Sequence, residues 1–246
     1  MRMDVTAKAK RVVRAYAGLR PGDRIAVICT GRKSGYALLS FMHSLLAGRG
    51  DIALFCVICT NDQSLQAAAF RLCGELGIEC IPIAVREKEM FLTFYGIQDS
   101  QVRKQLDHAA REHGITKFIL DQTLDDTALF VLTRLLEGGA PGNENETVWR
   151  FPVITPFVHI PAREADLYAD MSHPDIRAIP SDEDRHESSG QGFEEDVKIL
   201  LDDYCSRHPS TKFALVNLGE ALRHPGLALN VPEDSSNSET QYRREP

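Results

Sequence analysis

The sequence predicts an α/β fold in which helices cover both faces of a doubly wound parallel sheet, with an N-terminal helix and a C-terminal helical extension. First, short apolar runs alternate with amphipathic stretches along most of the chain, which is typical of βαβ units. Second, 246 residues, 43% of them hydrophobic, suit one sizeable domain with a short addition. Third, the apolar run 24–29 passes through a Gly-containing turn directly into a helical pattern. We therefore expect ligands at the carboxyl ends of the strands, where strand order reverses.

The elements follow from hydrophobic periodicity and from turn residues. Val5, Val12, Val13 and Tyr16 recur at near-helical spacing, which predicts a helix over 4–17. Strands are predicted at 24–30, 51–59, 79–85, 117–121 and near 152–155. Helices are predicted at 34–47, 62–76, 99–113, 125–137 and 162–171, followed by a closing pair at 193–206 and 211–222.

Polar and turn-rich segments divide the chain. Residues 138–150 are expected to form a loop, and almost nothing between 181 and 192 is able to enter a core. The expected organisation is a basic N-terminal helix, an α/β domain, a flexible linker, a helical extension and a disordered tail. These units span residues 1–22, 23–175, 176–192, 193–230 and 231–246.

The charge is distributed unevenly. Residues 1–50 contain ten Lys and Arg and two acidic residues, so the charge of this segment is +8. Because the net charge of the whole chain is −7, residues 51–246 carry a charge of −15. A basic N-terminal segment on an acidic body is compatible with binding RNA or phosphate. Alternatively, its Lys and Arg residues form the solvated face of an amphipathic helix. No apolar run reaches the roughly 18 residues of a membrane span and no secretory pattern opens the chain, so we expect a cytoplasmic protein that does not enter membranes.

The turn after the first strand carries a recognisable pattern. It reads Thr30-Gly31-Arg32-Lys33-Ser34-Gly35 and resembles the S-G-G-x-D-S loop of the PP-loop ATPases. Three further segments occur in the same order as in that superfamily: Gly22-Asp23-Arg24, residues 110–117, and Leu124-Asp125-Asp126 ahead of Gly138-Gly139. Together they resemble the tRNA 2-thiocytidine synthetase and tRNA(Ile)-lysidine synthetase-like branch.

The resemblance implies an adenine nucleotide alpha hydrolase-like fold over 23–175 and a nucleotide site. Residues 30–35 would bind ATP, and Asp125 and Asp126 would be the catalytic acidic pair, able to hold Mg²⁺. In that family ATP adenylates a base carbonyl of tRNA, and sulfur then displaces AMP. If active, the chain would be an ATP-dependent tRNA sulfurtransferase-like enzyme that binds tRNA through its basic N-terminal segment. On local evidence alone, the two acids are equally well explained as helix-start residues.

Several positions depart from the family pattern. Arg32 stands at the second Gly, Ser34 at the acid, Gly35 at the final Ser, and Asp121-Gln122 at a Gly-His pair. These changes leave three functions open. The chain is a divergent thiolation-type protein, a non-catalytic nucleotide-binding or regulatory module, or an ATP-dependent enzyme that transfers sulfur to, or amidates, a small molecule.

No metal site and no iron–sulfur cluster are expected from the sequence. The family's cluster cysteines correspond to Tyr95, Gln98, Ser181 and Asp184 here. Cys56-Val57-Ile58-Cys59 lies in a predicted strand, which directs its two thiols to opposite faces. The cysteines are therefore interpreted as core residues, with a redox or sulfur-carrying role for the strand-end thiols as the alternative.

Overall fold

A five-stranded, fully parallel sheet forms the centre of the molecule. The structure is a computed structural model that describes residues 2–16, 19–85, 100–139, 150–173, 176, 179 and 192–223. The strands are β1 (Arg24–Cys29), β2 (Ala53–Cys59), β3 (Glu79–Ile83), β4 (Lys117–Leu120) and β5 (Val153–Ile154). The helices within these ranges are α1 (Arg2–Tyr16), α2 (Lys33–Leu46), α3 (Gln63–Leu76), α4 (Ser100–His113), α5 (Leu124–Leu136), α6 (Ala162–Ser172), α7 (Phe193–Arg207) and α8 (Thr211–Arg223).

In the strand order β3-β2-β1-β4-β5, the side of the sheet on which successive strands are added changes once. The chain moves outward from β1 through β2 to β3, then returns to place β4 on the other side of β1. In open parallel sheets the crevice at such a reversal, beyond the carboxyl ends of the strands, is where ligands bind. The carboxyl ends of β1 and β4 therefore mark the candidate site.

Each face of the sheet has its own hydrophobic core. Ile25, Val27 and Cys29 face a core shared with α2, α3 and α6, whereas Ala26 and Ile28 face a second core completed by α4. Alternate β1 side chains thus enter different cores, which explains why the strand reads as a continuous apolar run.

The C-terminal helix pair packs on α5. α7 and α8 both contact α5, and α1 contacts α6. A third cluster joins α1, α5, α7 and α8 through Val12, Leu124, Ala128, Leu201 and Val216. The start of α5 is therefore held between the sheet and the C-terminal helices, which fixes the direction in which its first residues point.

The predicted fold class is confirmed, and the ends of the described elements agree with the predicted ones to within two residues. Most of the predicted loop at 138–150, most of the linker at 176–192 and the tail at 231–246 lie outside the described residues. None of the described helices is both long enough and apolar enough to cross a membrane.

Candidate nucleotide-binding site

The turn between β1 and α2 is shaped by a glycine. Gly31 has φ +84°, a left-handed conformation that side chains disfavour. A Cβ atom at this position would also lie 2.8 Å from Cδ1 of Leu65. The turn therefore requires glycine here, and it delivers Arg32 and Lys33 to the start of α2 at the carboxyl end of β1.

Arg32 makes a bidentate ion pair across the reversal point. Its guanidinium donates to both carboxylate oxygens of Asp126, at 2.7 and 3.1 Å, and also to the backbone oxygen and the carboxylate of Asp121, at 3.3 and 3.4 Å. The Arg32 and Asp126 side chains are 13% and 18% exposed, and Asp121 is fully buried. Although burial opposes its ionisation, the charge and hydrogen bonds of Arg32 lower the pKa of Asp126.

Three residues at this edge, Arg32, Gly35 and Asp121, pack against one another. A Cβ atom on Gly35 would lie 3.0 Å from Oδ2 of Asp121 and 3.3 Å from Cα of Cys29. The same Asp121 oxygen accepts a hydrogen bond from Thr30 at 3.2 Å, while the other lies near Arg32. Glycine at 35 thus leaves room for aspartate at 121, and that aspartate pairs with Arg32. The three residues form one packed unit.

The acidic pair at the start of α5 is divided between two roles. Asp126 accepts hydrogen bonds from the backbone N–H and hydroxyl of Thr123, both at 2.7 Å, and its own backbone N–H donates to the Thr123 hydroxyl oxygen at 3.4 Å, which completes a capping box on α5. Asp125 accepts from the backbone N–H of Ala162, the first residue of α6, at 2.6 Å, and from Lys212 of α8 at 2.8 Å. Asp126 therefore faces the loop, and Asp125 joins α5, α6 and α8.

Two lysines complete the charge balance around this edge. Lys33 pairs with Asp170 of α6 at 3.1 Å. Lys212 bridges Asp125 and Asp202, and although burial opposes its charge, those carboxylates raise the pKa of Lys212 above its usual value. Of the six loop residues from 30 to 35, only the arginine at 32 is not buried. An incoming anion would therefore meet the Arg32 guanidinium first.

The basic residues of α1 are only partly available to a partner. Val5, Ala9 and Val12 are buried, and Lys8 pairs with Asp4 and Glu164, at 3.0 and 3.4 Å. Arg11 and Arg14 are exposed on the outer face, and Lys10 is half-buried.

The cysteines do not all behave as separate core residues. Cys56 and Cys59 enter different cores, as the strand period predicts. The sulfur atoms of Cys56, Cys73 and Cys80, however, all lie within 4.8 Å of one another. Hydrogen bonds from the Cys56 and Cys73 thiols lower the pKa of Cys80 below its usual value, and hydrogen bonding to Cys56 and Cys80 raises that of Cys73.

The structure thus brings the loop residues and Asp126 together at one edge, with Asp125 beside them. Sequence reasoning did not identify Thr123 as a site residue, although the spacing of threonine three residues before Asp126 is a capping-box signal. It also missed Lys212 and Asp170, which lie far away in the chain and have no local signature. Tyr95, Gln98, Ser181 and Asp184 lie outside the described residues.

Sequence and structure comparisons show which known proteins this chain resembles. No protein-family model matches the chain. The chain is 25% identical over 229 residues to tRNA-cytidine(32) 2-sulfurtransferase from Paracoccus denitrificans (strain Pd 1222), covering 86% of this chain and 75% of that protein. Among solved structures it resembles the U34-tRNA thiolase NcsA from Methanococcus maripaludis, with TM-score 0.69, 19% identity and coverage of 90% of this chain and 78% of that one. NMN synthetase from Francisella tularensis has TM-score 0.50 and 13% identity, with coverage of 91% and 96%.

These likenesses confirm the predicted resemblance to the PP-loop ATPase superfamily and relate the chain to tRNA thiolation enzymes. They also correct one expectation. The sequence argued against an iron–sulfur cluster, yet the structure of NcsA contains a [4Fe–4S] cluster. Moreover, this chain has a three-cysteine group whose sulfur spacing suits a metal. The expectation was wrong because it considered only the family's cysteine positions and the spacing of cysteines along the chain.

Proposed function

We propose that this chain binds an adenine nucleotide at the carboxyl ends of β1 and β4 and uses it in a thiolation-type reaction on tRNA. The observation that carries the proposal is the convergence of the Gly31 turn, the start of α2, Arg32 and Asp126 at the reversal point of the sheet. A helix start and two cations at such an edge favour a phosphate-bearing ligand. The relation to a tRNA sulfurtransferase supports tRNA as the second substrate and a cytoplasmic location.

Arg32 is the proposed phosphate ligand. Its two-point contact with the Asp126 carboxylate has the same geometry that guanidinium groups use for phosphate. Nucleotide binding would exchange one anion for the other at this guanidinium. Asp126 would keep the two hydrogen bonds from Thr123, so it would not be left without donors.

The proposed reaction has two steps. In the first, a base carbonyl oxygen of tRNA attacks the α-phosphorus of ATP, and pyrophosphate leaves with the bonding electron pair. In the second, a sulfur nucleophile displaces AMP. The positive start of α2, together with Arg32 and Lys33, would stabilise the negative charge that develops on the phosphate oxygens.

One observation favours a second candidate, a regulatory module that binds nucleotide without turnover. Both acids at the start of α5 already have a cationic partner from the chain, Arg32 for Asp126 and Lys212 for Asp125. If these pairs persist when nucleotide is bound, the acids cannot take part in the chemistry.

The outer face of α1 is the proposed contact for tRNA. Charge reversal at Lys10 and Arg14 should weaken tRNA binding and flatten its salt dependence. For each phosphate contact that is lost, tRNA binding releases one counterion fewer. Arg71, exposed on α3, offers a matched control for reversal of a surface charge. Filter binding over a salt series measures both effects. Equal weakening by Arg71→Glu would argue against α1 as the contact.

The experiment that tests the function is tRNA-dependent release of pyrophosphate from labelled ATP by the full chain. The proposal predicts release that requires tRNA and that falls in an Arg32→Met variant, because Arg32 is the proposed phosphate ligand. Nucleotide binding without release would favour the regulatory candidate. Release in the absence of tRNA, stimulated by a small sulfur or amine acceptor instead, would redirect the substrate to the small-molecule class.

A further inference from the structure

Three cysteines from three different elements converge within the core between the sheet and α3. Cys56 lies on β2, Cys73 on α3 and Cys80 on β3, and their sulfur atoms all lie within 4.8 Å of one another. Cys56 and Cys80 are direct partners in the parallel register of β2 and β3, so their side chains leave the same face of the sheet. Cys73 belongs to the helix that covers this face.

The backbone around these thiols is held in place at both ends of α3. The Asp62 side chain caps its start by accepting from the backbone N–H groups of Ser64 and Leu65. At its end, Gly77 adopts a left-handed conformation, and the backbone N–H of Ile78 donates to the carbonyl of Cys73 at 2.8 Å. This turn leads directly into β3, so the carbonyl of Cys73 is hydrogen-bonded to the segment that positions Cys80.

The arrangement matches the ligand demand of a thiophilic metal. A Zn–S bond is about 2.3 Å, which places tetrahedral thiolates on one ion about 3.8 Å apart. Sulfur atoms within 4.8 Å of one another need little movement to reach that spacing. Thiolates are also the ligands that select zinc, Cu(I) and iron–sulfur centres over hard cations such as Mg²⁺.

We propose that Cys56, Cys73 and Cys80 form a three-thiolate metal site. On binding, each coordinating thiol forms a bond from sulfur to the metal and releases its proton to solvent. Cys56 and Cys73 are buried, whereas Cys80 is only half-buried. A metal ion would therefore reach the site from the side of Cys80. These cysteines differ from the positions that correspond to the family's cluster cysteines, and none belongs to the phosphate edge. A failure to bind nucleotide would therefore not argue against the metal site. Equally, a failure to bind metal would not argue against the proposed nucleotide site.

The test is metal binding by the full chain, purified anaerobically with its thiols reduced and stripped with a chelator. One arm titrates Co²⁺ and then Zn²⁺, following the thiolate-to-cobalt charge-transfer absorption and its loss. A second arm supplies Fe²⁺ and sulfide, followed by iron and sulfide analysis. We expect one centre per chain in one of the two arms. Cys80→Ser should lower its affinity at least about tenfold, since loss of mere outer-shell partners already costs 10–100-fold.

Cys59→Ser is the matched control, because Cys59 is equally buried on β2 but enters the opposite core. Circular dichroism checks that each variant folds. If Cys80→Ser does not fold, protection of wild-type Cys80 from alkylation by added Zn²⁺, read by peptide mass spectrometry, replaces it. Absence of a bound centre in both arms, equal binding by wild type and Cys80→Ser, or a native disulfide among the three thiols would overturn the proposal.

Discussion

Removing the Arg32 guanidinium should destabilise the fold, because it strips the counter-charge from two carboxylates that solvent hardly reaches. Arg32→Met keeps the apolar stem and deletes the charge. The exposed fractions of 13% for Arg32, 18% for Asp126 and zero for Asp121 place this network among buried ion pairs. Breaking such a pair from one side typically costs about 3–5 kcal/mol.

The expected loss lies at or just below the lower limit of that range. Asp126 retains two hydrogen bonds from Thr123, and Asp121 retains one from Thr30, so neither carboxylate loses all of its donors. We therefore expect Arg32→Met to lower the free energy of unfolding by about 2–3 kcal/mol. With a urea m-value near 3 kcal/mol/M, that loss shifts the unfolding midpoint by about 1 M.

Urea unfolding monitored by circular dichroism measures this shift. Arg49→Met is the matched control, since Arg49 makes a similar two-point pair with Asp51 but on an exposed surface. Its midpoint should move much less, because exposed ion pairs contribute little to stability. The double variant of Arg32→Met with Asp126→Asn should lose less than the sum of the two single variants. Equal midpoint shifts for Arg32→Met and Arg49→Met, or strict additivity in the cycle, would refute this reasoning.

Two further predictions concern the same unit. Gly35→Ala should destabilise the protein by about 1–2 kcal/mol, because the clash with Asp121 outweighs the higher helix propensity of alanine. Urea unfolding should show a smaller loss of stability for Gly35→Ala in an Asp121→Gly background. Equal losses in both backgrounds would contradict this prediction. The lowered pKa of Asp126 means that its ion pair stabilises the fold above the usual pKa of an aspartate and that this contribution is lost as the pH falls through the lowered value. Wild type should therefore lose more stability than Asp126→Asn between pH 7 and pH 3, and parallel stability curves for the two proteins would exclude the effect.

The fold was predictable because it follows from local periodicity. Apolar runs with polar boundaries identified every strand of the sheet, and the pattern through the Gly31 turn located the edge where ligands bind. The capping box from Thr123 to Asp126 was also visible in the sequence. Such features depend on residues a few positions apart, and composition and spacing record them.

The contacts that give the site its character were not predictable in this way. Arg32 meets Asp126 across 94 positions of sequence, and only the adjacency of β1 and β4 brings them together. Likewise, Cys56 and Cys80 meet because of the exact pairing of β2 with β3, which a single sequence does not specify. The packing of Gly35 and Arg32 against Asp121 also became visible only in three dimensions.

Titration of the protein with ATP by calorimetry, for wild type and for Arg32→Met, tests the central claim most directly. If Arg32 binds the phosphates, wild type binds ATP saturably at one site. Arg32→Met, shown by circular dichroism to be folded, then binds ATP at least about tenfold more weakly, because it loses a charge-assisted contact of about 1.5–3 kcal/mol. Absence of heat at millimolar ATP with wild type, or tighter binding by Arg32→Met than by wild type, would contradict the account, and the second result would mean that the arginine closes the site instead of forming it.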